Sequence, residues 1–278
     1  MLSNLICPYC KAELLKSKHR TFQCDANHSF DISKEGYLNL LPVNKKKSKS
    51  PGDNELMIAA RRFFLEQGFY NPMIEKVQQI IANNLKLNGS FYALDSGCGE
   101  GYYSEKALRN ENQKAIILGT DISKIAVKNA AKKYKDNFYF VSSVYDMPVV
   151  GNSMDLILSV FAPIEANEFT RILKSSGYLI VVSPAENHMK QLAELIYDSF
   201  RPHQHKIVMN MPEILEPYMA ERISFEIDIK DAETLSALHK MTPYYYNTSK
   251  KAQEKVVNCK NISIQCDFHI SVFKPAQL

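Results

Sequence analysis

No stretch of this 278-residue chain stays apolar for the roughly 20 residues needed to cross a bilayer, and its N-terminus lacks the short apolar core of a secretory leader. These absences exclude a helical membrane protein and lead to the expectation of a cytoplasmic one. Strong net charge is missing too. With 34 basic and 30 acidic residues the balance is +4, so overall charge demands no anionic partner unless it is unevenly distributed. Glycine is scarce, at 10 residues, yet three of these fall within the span 97–101. There are six cysteines. In a reducing compartment they are not expected to form three structural disulfides, so their spacing is read for metal binding or packing. The length suits one α/β domain of about 200 residues with a small appendage.

The glycines lie in Asp95-Ser96-Gly97-Cys98-Gly99-Glu100-Gly101-Tyr102-Tyr103, between a strand-like run, Phe91-Tyr92-Ala93-Leu94, and a helical pattern over 104–109. Glycine at a strand-to-helix turn lets the backbone take positive φ and approach a ligand with no Cβ in the way. A dinucleotide site wants a third glycine or alanine where Tyr102 stands, which weakens a dehydrogenase reading. Asp-x-Gly-x-Gly-x-Gly resembles instead the first motif of class I S-adenosylmethionine-dependent methyltransferases. The next strand, 115–120, ends in Asp121, twenty residues after Gly101 and well placed to accept from both ribose hydroxyls.

Near the N-terminus, Cys7-Pro8-Tyr9-Cys10 is followed after thirteen residues by Cys24 and then His28. Two such knuckles close a tetrahedral zinc site with no open position, so the ion is expected to be structural. It supplies folding free energy that a segment this short cannot gain from apolar burial. His19 is a weaker ligand candidate, and Cys98, Cys259 and Cys266 have no partner spacing and read as packed thiols. Four lysines and no acid occupy 44–50, and Arg61-Arg62 follow on a helix expected over 56–65, with Asp53 or Asn54 as N-cap. A second helix is expected from Asn71-Pro72 to about Asn84. The lysine run is a solvated linker or a phosphate contact, and a ribbon beside it favours the contact. The expected units are a zinc ribbon over 1–43, a basic linker with helices over 44–84 and a catalytic domain over 85–278.

Downstream, helix is expected over 124–134 and 166–173 and strand over 138–141, 154–160 and 178–182, the alternation of a doubly wound α/β sheet. Its ligands bind beyond the C-terminal strand ends, at 95–101, Asp121, 142–146, 161–163 and 183–188. An Asn/Asp-Pro-Pro-Tyr motif, as used in exocyclic amine methylation, is absent; Phe161-Ala162-Pro163 stands there instead. Pyrimidine C5 methylation needs a cysteine nucleophile, and Cys98 lies in the cofactor turn, facing the wrong partner.

Further blocks carry a resemblance over nearly the whole chain: Lys34-Glu35-Gly36-Tyr37-Leu38-Asn39-Leu40-Leu41-Pro42, Ser50-Pro51-Gly52-Asp53, Ala60-Arg61-Arg62-Phe63 and Met241-Thr242-Pro243, with the cysteine pairs and the glycine loop. The sequence resembles the bacterial 23S ribosomal RNA guanine-N(1)-methyltransferases of the RlmA type. The resemblance implies a class I methyltransferase Rossmann-like sheet with a small N-terminal zinc ribbon. It implies Zn2+ on Cys7, Cys10, Cys24 and His28. It implies S-adenosyl-L-methionine held by the glycine loop (Asp95, Gly97, Gly99, Glu100, Gly101) and Asp121, with Tyr70 and His188 touching it. The implied reaction is methyl transfer to N1 of a guanine in a hairpin loop of 23S ribosomal RNA, by an enzyme whose relatives resemble homodimers. Ser96 departs from the family, where an aliphatic residue is usual; the change concerns strand packing.

Guanine N1 carries a proton that must be lost, and the base must leave its stack to be reached. Tyr244-Tyr245-Tyr246 is a candidate stacking platform, with a tyrosine-rich edge of the core as the alternative. Asp146 and Glu165 are weak candidates for the proton acceptor, either of which reads equally as a solvated loop carboxylate. Lys45, Lys46, Lys47, Arg61 and Arg62 are the candidate phosphate contacts, and Tyr244 a further RNA contact. The rival readings are a small-molecule methyltransferase, which has no need of a zinc ribbon, and a non-catalytic RNA-binding or assembly factor that keeps the fold.

Overall fold

A computed structural model describes residues 4–18, 20–45, 52–87, 89–109, 114–197, 200–204 and 211–276. His19, Lys46 and Lys47 lie outside the described residues. An antiparallel three-stranded ribbon comprises β1 (Leu15–Lys18), β2 (Thr21–Gln23) and β3 (Ser29–Asp31). The next strand, β4 (Tyr37–Asn39), leaves the ribbon and joins the edge of the large sheet.

Two helices follow, α1 (Glu55–Glu66) and α2 (Asn71–Asn84). Asn54 caps α1, its side chain accepting from the Met57 N–H at 3.0 Å, and Pro72 sits in the first turn of α2, where no N–H is needed. The catalytic unit then alternates β5 (Ser90–Ser96), α3 (Tyr102–Leu108), β6 (Lys114–Asp121), α4 (Lys124–Lys133), β7 (Phe138–Val141), β8 (Met154–Val160), α5 (Ala166–Ile172), β9 (Leu173–Pro184) and α6 (Lys190–Ile196). A long hairpin closes the chain, β10 (Leu215–Ile229) and β11 (Ile262–Pro275), with α7 (Ala232–Lys240), a 3-10 turn (Pro243–Asn247) and α8 (Lys250–Asn258) between its strands.

The large sheet has the order β10-β11-β9-β8-β5-β6-β7-β4. Pairings from β4 to β9 are parallel, and β11 runs antiparallel to both β9 and β10. This is the expected doubly wound sheet with an antiparallel edge. Period-two alternation assigns its two faces. Leu156, Leu158, Tyr178, Ile180 and Val182 pack with α1, α2 and the C-terminal helices, whereas Ile157, Leu179 and Val181 face α5 and the ribbon. The ribbon is therefore not free-standing. Its Leu5, Leu14 and Phe22 share one core with Phe140, Met147 and Val149, and the Ile6 N–H donates to Pro148 O at 3.0 Å. Among the described residues no helix is long and apolar enough to cross a membrane.

Candidate cofactor cavity and metal centre

Strand β5 lies between β6 and β8, where the strand order of the sheet reverses, and the C-terminal end of such a switch point is the place where doubly wound folds take ligands. Gly97, Gly99 and Gly101 all adopt positive φ, at 79°, 54° and 77°. A Cβ at Gly97 would overlap the Ala162 methyl, and one at Gly101 the Tyr139 hydroxyl, so side chains are excluded by packing as well as by conformation. Asp121 fastens the turn: Oδ2 accepts from the Gly99 N–H at 2.9 Å and Oδ1 from the Ser123 N–H at 2.7 Å. Burial raises its carboxyl above the ordinary range.

The loop opens into a cavity of about 1210 Å³. That exceeds the roughly 300–1,000 Å³ of a single small-molecule site, leaving room for a cofactor and a base together. Tyr70 and His188 line it, as do Glu100 and Asp121. The Tyr70 hydroxyl is buried and has no hydrogen-bond partner among the described residues, an orphaned donor that a bound polar ligand would satisfy. With the glycine cradle and the Asp121 oxygens, the donors and acceptors fit S-adenosylmethionine, which supplies an electrophilic methyl when bound. Asp95 is placed differently. It lies beneath the loop, outside the cavity lining, with its carboxylate accepting from the Ser104 hydroxyl. Burial, with the Asp121 charge adding to it, pushes its pKa up to about 7.

His188 is held from behind by β11: its Nδ1 accepts from the Asp267 N–H at 3.2 Å, which puts the ring proton on Nε2. Asp267 is fully buried, takes the Asn187 N–H at 3.1 Å and pairs with Arg222. Burial, and next the neighbouring His203, lower the His188 pKa to about 3. For a base with a depressed folded pKa, the unfolded chain binds the extra proton, so stability is lost as pH falls from about 6.5 and the loss saturates near pH 3. Between pH 7 and pH 5 the wild type is expected to lose about 2 kcal/mol more than His188→Asn, read by urea unfolding. Equal losses in the two proteins would refute the neutral buried imidazole.

The aromatic wall was only partly legible. Of the three tyrosines, Tyr244 lines the cavity; Tyr245 packs edge-on to His239 and the Tyr246 hydroxyl meets Asn54. Phe161 is the stronger exposed face. It takes a left-handed φ of 54°, is 44% exposed at the cavity and stacks on His188 at 6.1 Å and 24°. Such strain in a bulky residue persists only where surroundings over-determine it, and it clusters at functional sites. The sequence singled out its loop but held no signal for that conformation.

The charged candidates are engaged with one another. Arg61 pairs with Asp53 and donates to Met241 O at 3.2 Å, and Arg62 forks onto Glu100, which also takes Asn129 Nδ2 at 2.7 Å. Asp146 is outside the cavity lining, bound by Lys11 and Lys45. Its partial burial pushes its pKa up, but the two lysines prevail and hold it below the usual range. Glu165 precedes α5, accepts from Asn167 at 3.2 Å and also lies outside the lining.

In the ribbon, ligand atoms of Cys7, Cys10, Cys24 and His28 all lie within 4.8 Å of one another. Cys10 Sγ to Cys24 Sγ is 3.5 Å, and His28 Nδ1 lies 3.5 Å from Cys7 Sγ and 3.4 Å from Cys24 Sγ. A tetrahedral ion with Zn–S bonds of about 2.3 Å needs ligand atoms roughly 3.5–3.8 Å apart, so the set fits zinc. Left-handed Lys11 and Asn27 turn the two knuckles, with Lys11 N–H donating to Cys7 O and Asn27 N–H to Cys24 O, both at 2.9 Å. All four positions are filled by protein, which makes the metal structural.

Comparison with known proteins agrees with this geometry. Residues 5–49 match the zinc-ribbon family described as RlmA, N-terminal, and residues 87–223 match a methyltransferase domain. A chain from the complex of the Haloferax volcanii Trm112 methyltransferase activator with a methyltransferase superposes with a TM-score of 0.51 at 19% identity, covering 81% of this chain and all of that one. Fold and site define a class I S-adenosylmethionine-dependent methyltransferase that carries a structural zinc ribbon. Over 276 residues the chain is 30% identical to Bacillus subtilis (strain 168) YxjB, provisionally named a 23S rRNA (guanine-N(1)-)-methyltransferase, covering 96% of this chain and 95% of that protein. It is 32% identical over 194 residues to the 23S rRNA (guanine(748)-N(1))-methyltransferase of Streptomyces fradiae, covering 69% of this chain and 67% of that one. The chain belongs to the 23S rRNA (guanine-N(1)-)-methyltransferase family.

Proposed function

We propose that this protein transfers the methyl group of S-adenosyl-L-methionine to N1 of a guanine in a hairpin loop of 23S ribosomal RNA. The observation that carries the reading is one cavity, large enough for cofactor and flipped base, whose neighbouring loop is tied to a zinc ribbon of the RlmA kind through Asp146. A small-molecule enzyme has no use for that attachment. In this reading Gly97, Gly99, Gly101 and Asp121 hold the cofactor with Tyr70 and His188, Asp95 stiffens the loop from below, and Glu100, clamped by Arg62, borders the site. Phe161 and Tyr244 offer aromatic faces to the extruded base, each stacked face stabilising by about 1–3 kcal/mol. Lys45 and the lysines that follow it, with Arg61 and Arg62 at the cavity mouth, supply the positive field for phosphate. Engagement of phosphate by Lys45 or Arg62 requires exchange of its carboxylate partner. The protein works in the cytoplasm, where its substrate is, and as a homodimer.

The test is incubation with labelled cofactor and unmodified large-subunit RNA, followed by mass-spectrometric mapping of the methylated atom. N1-methylguanine at one hairpin position is expected; label on a ribose, an exocyclic nitrogen or no RNA at all would overturn the reading. Changing Lys45, Lys46 and Lys47 together to Ala is expected to weaken RNA binding and flatten its salt dependence by up to about 3 in log–log slope, with cofactor affinity unchanged. An unaltered slope would remove the lysines from the interface.

A further inference from the structure

Methylation at guanine N1 needs somewhere for the N1 proton to go, and neither carboxylate picked out by sequence borders the cavity. The bases that do border it can be taken in turn, among the described residues. Asp53 is paired with Arg61, Glu66 with Lys133 and Glu100 with Arg62, and a carboxylate neutralised by a neighbouring cation is a poor proton acceptor. Asp121 already accepts two backbone N–H groups. His188 has its one lone pair on Nδ1 occupied by the Asp267 N–H, so toward the cavity it is a donor.

His203 remains. It borders the cavity, and its Nε2 lies 3.3 Å from the Tyr244 hydroxyl, which borders the cavity too. Its own backbone N–H donates to Glu186 O at 3.1 Å, anchoring the ring to the loop that carries His188. A contiguous path of side chains leads to it from the cofactor turn. Ala162 packs on Gly97, Phe161 adjoins Ala162 in the chain and stacks on His188, and His188 lies 6.2 Å, ring to ring, from His203.

We propose that His203 is the proton acceptor of the reaction, reached through the Tyr244 hydroxyl. The inference rests on the guanine-N1 reading above. Tyr244 O–H donates to His203 Nε2 and turns its oxygen lone pairs toward the cavity, where they receive the guanine N1–H. As the N1–H bond breaks, a new O–H bond forms on Tyr244 and its former proton passes to Nε2. The electron pair left on N1 forms the bond to the methyl carbon, and the sulfur–methyl pair stays on sulfur as a thioether. The imidazolium then returns its proton to solvent. Burial holds His203 below the ordinary histidine value and Tyr244 above the ordinary tyrosine value, so before reaction the first is a neutral base and the second a neutral phenol. Among the described residues, the titratable groups facing this pair are His188 and, against Tyr244, Tyr197.

The test compares wild type, His203→Gln and Tyr244→Phe in single-turnover methylation of the large-subunit RNA across pH 6 to 9, with cofactor and RNA affinities measured alongside. Loss of a general base costs about 10²–10⁴-fold. We expect His203→Gln to lose at least about 100-fold at pH 7 with both affinities retained, to recover as pH rises and hydroxide takes the proton, and to be rescued by added imidazole. Tyr244→Phe is expected to lose rate without losing cofactor affinity. In the cofactor-free wild type, histidine NMR should find His203 neutral at pH 7. N1-methylguanine formed by wild type, with His203→Gln within threefold of it and an unchanged pH profile, overturns this inference alone. So does a loss carried wholly by RNA affinity. Absence of N1-methylguanine in the wild-type arm overturns the functional reading on which the inference rests, so the two failures are told apart.

Discussion

Stripping the zinc is expected to unfold the N-terminal ribbon and lower the melting temperature of the whole chain by about 10 °C or more, at roughly 2–4 °C per kcal/mol for a domain of this size. The ribbon strands hold only three or four residues each, too few to be stable by pairing alone. A structural zinc contributes an apparent ~10–16 kcal/mol in small zinc-finger peptides at pH 7. Here the loss spreads, because Leu5, Leu14 and Phe22 cover Phe140, Met147 and Val149 on the sheet. Cys24→Ser should reproduce it. Calorimetric melting with zinc content measured on the same sample decides the matter, and an unchanged melting temperature after verified metal removal would refute a structural role. Methyl transfer to RNA is expected to disappear with the metal, since Lys11 and Lys45 then no longer hold Asp146 beside the cavity.

Replacing Asp121 by Ala is expected to weaken S-adenosylmethionine about 100-fold, or roughly 2.7 kcal/mol, which lies within the range for loss of hydrogen bonds to a charged acceptor. Two effects combine. The ribose loses its acceptor, and the Gly99 and Ser123 N–H groups lose the carboxylate that sets the turn. Asn, which keeps one acceptor but no charge, should fall between. The pH dependence follows from the raised carboxyl: in the cofactor-free protein the anion is disfavoured by burial, and protonation removes the acceptor. Affinity should therefore weaken as pH is lowered through that raised value, and less so in Asp121→Asn. Titration calorimetry at several pH values reads both effects; a dissociation constant for Asp121→Ala within threefold of wild type would exclude Asp121 from the site.

Where one element's own periodicity decides its state, the chain was readable. The strands expected at 138–141 and 154–160 coincide with Phe138–Val141 and Met154–Val160, and the helix expected from Asn71 to about Asn84 with Asn71–Asn84. The C-terminal third was different. Strand β10 alternates exposed and half-buried residues along most of its length, and nothing local announces that its partner β11 lies beyond two helices and a 3-10 turn. A non-local pairing has no local signature. His203 illustrates the same gap in the site: it stands in an unpatterned stretch, and only the fold brings it to Tyr244.

By itself the sequence determined the chemistry on offer, because metal-ligand spacing, a glycine-rich turn and an acid at the end of the next strand are local features whose meaning survives without neighbours. From these came the zinc ribbon and the sulfonium cofactor, and the further sequence blocks added the family. Tertiary structure alone decided which charges are available. Asp146 is claimed by two lysines, Arg62 by Glu100 and His188 by β11, and those partners are 135 and 101, 38 and 79 residues away in the chain. A side chain's protonation state and its freedom to act follow from burial and from what it faces, and the fold sets both.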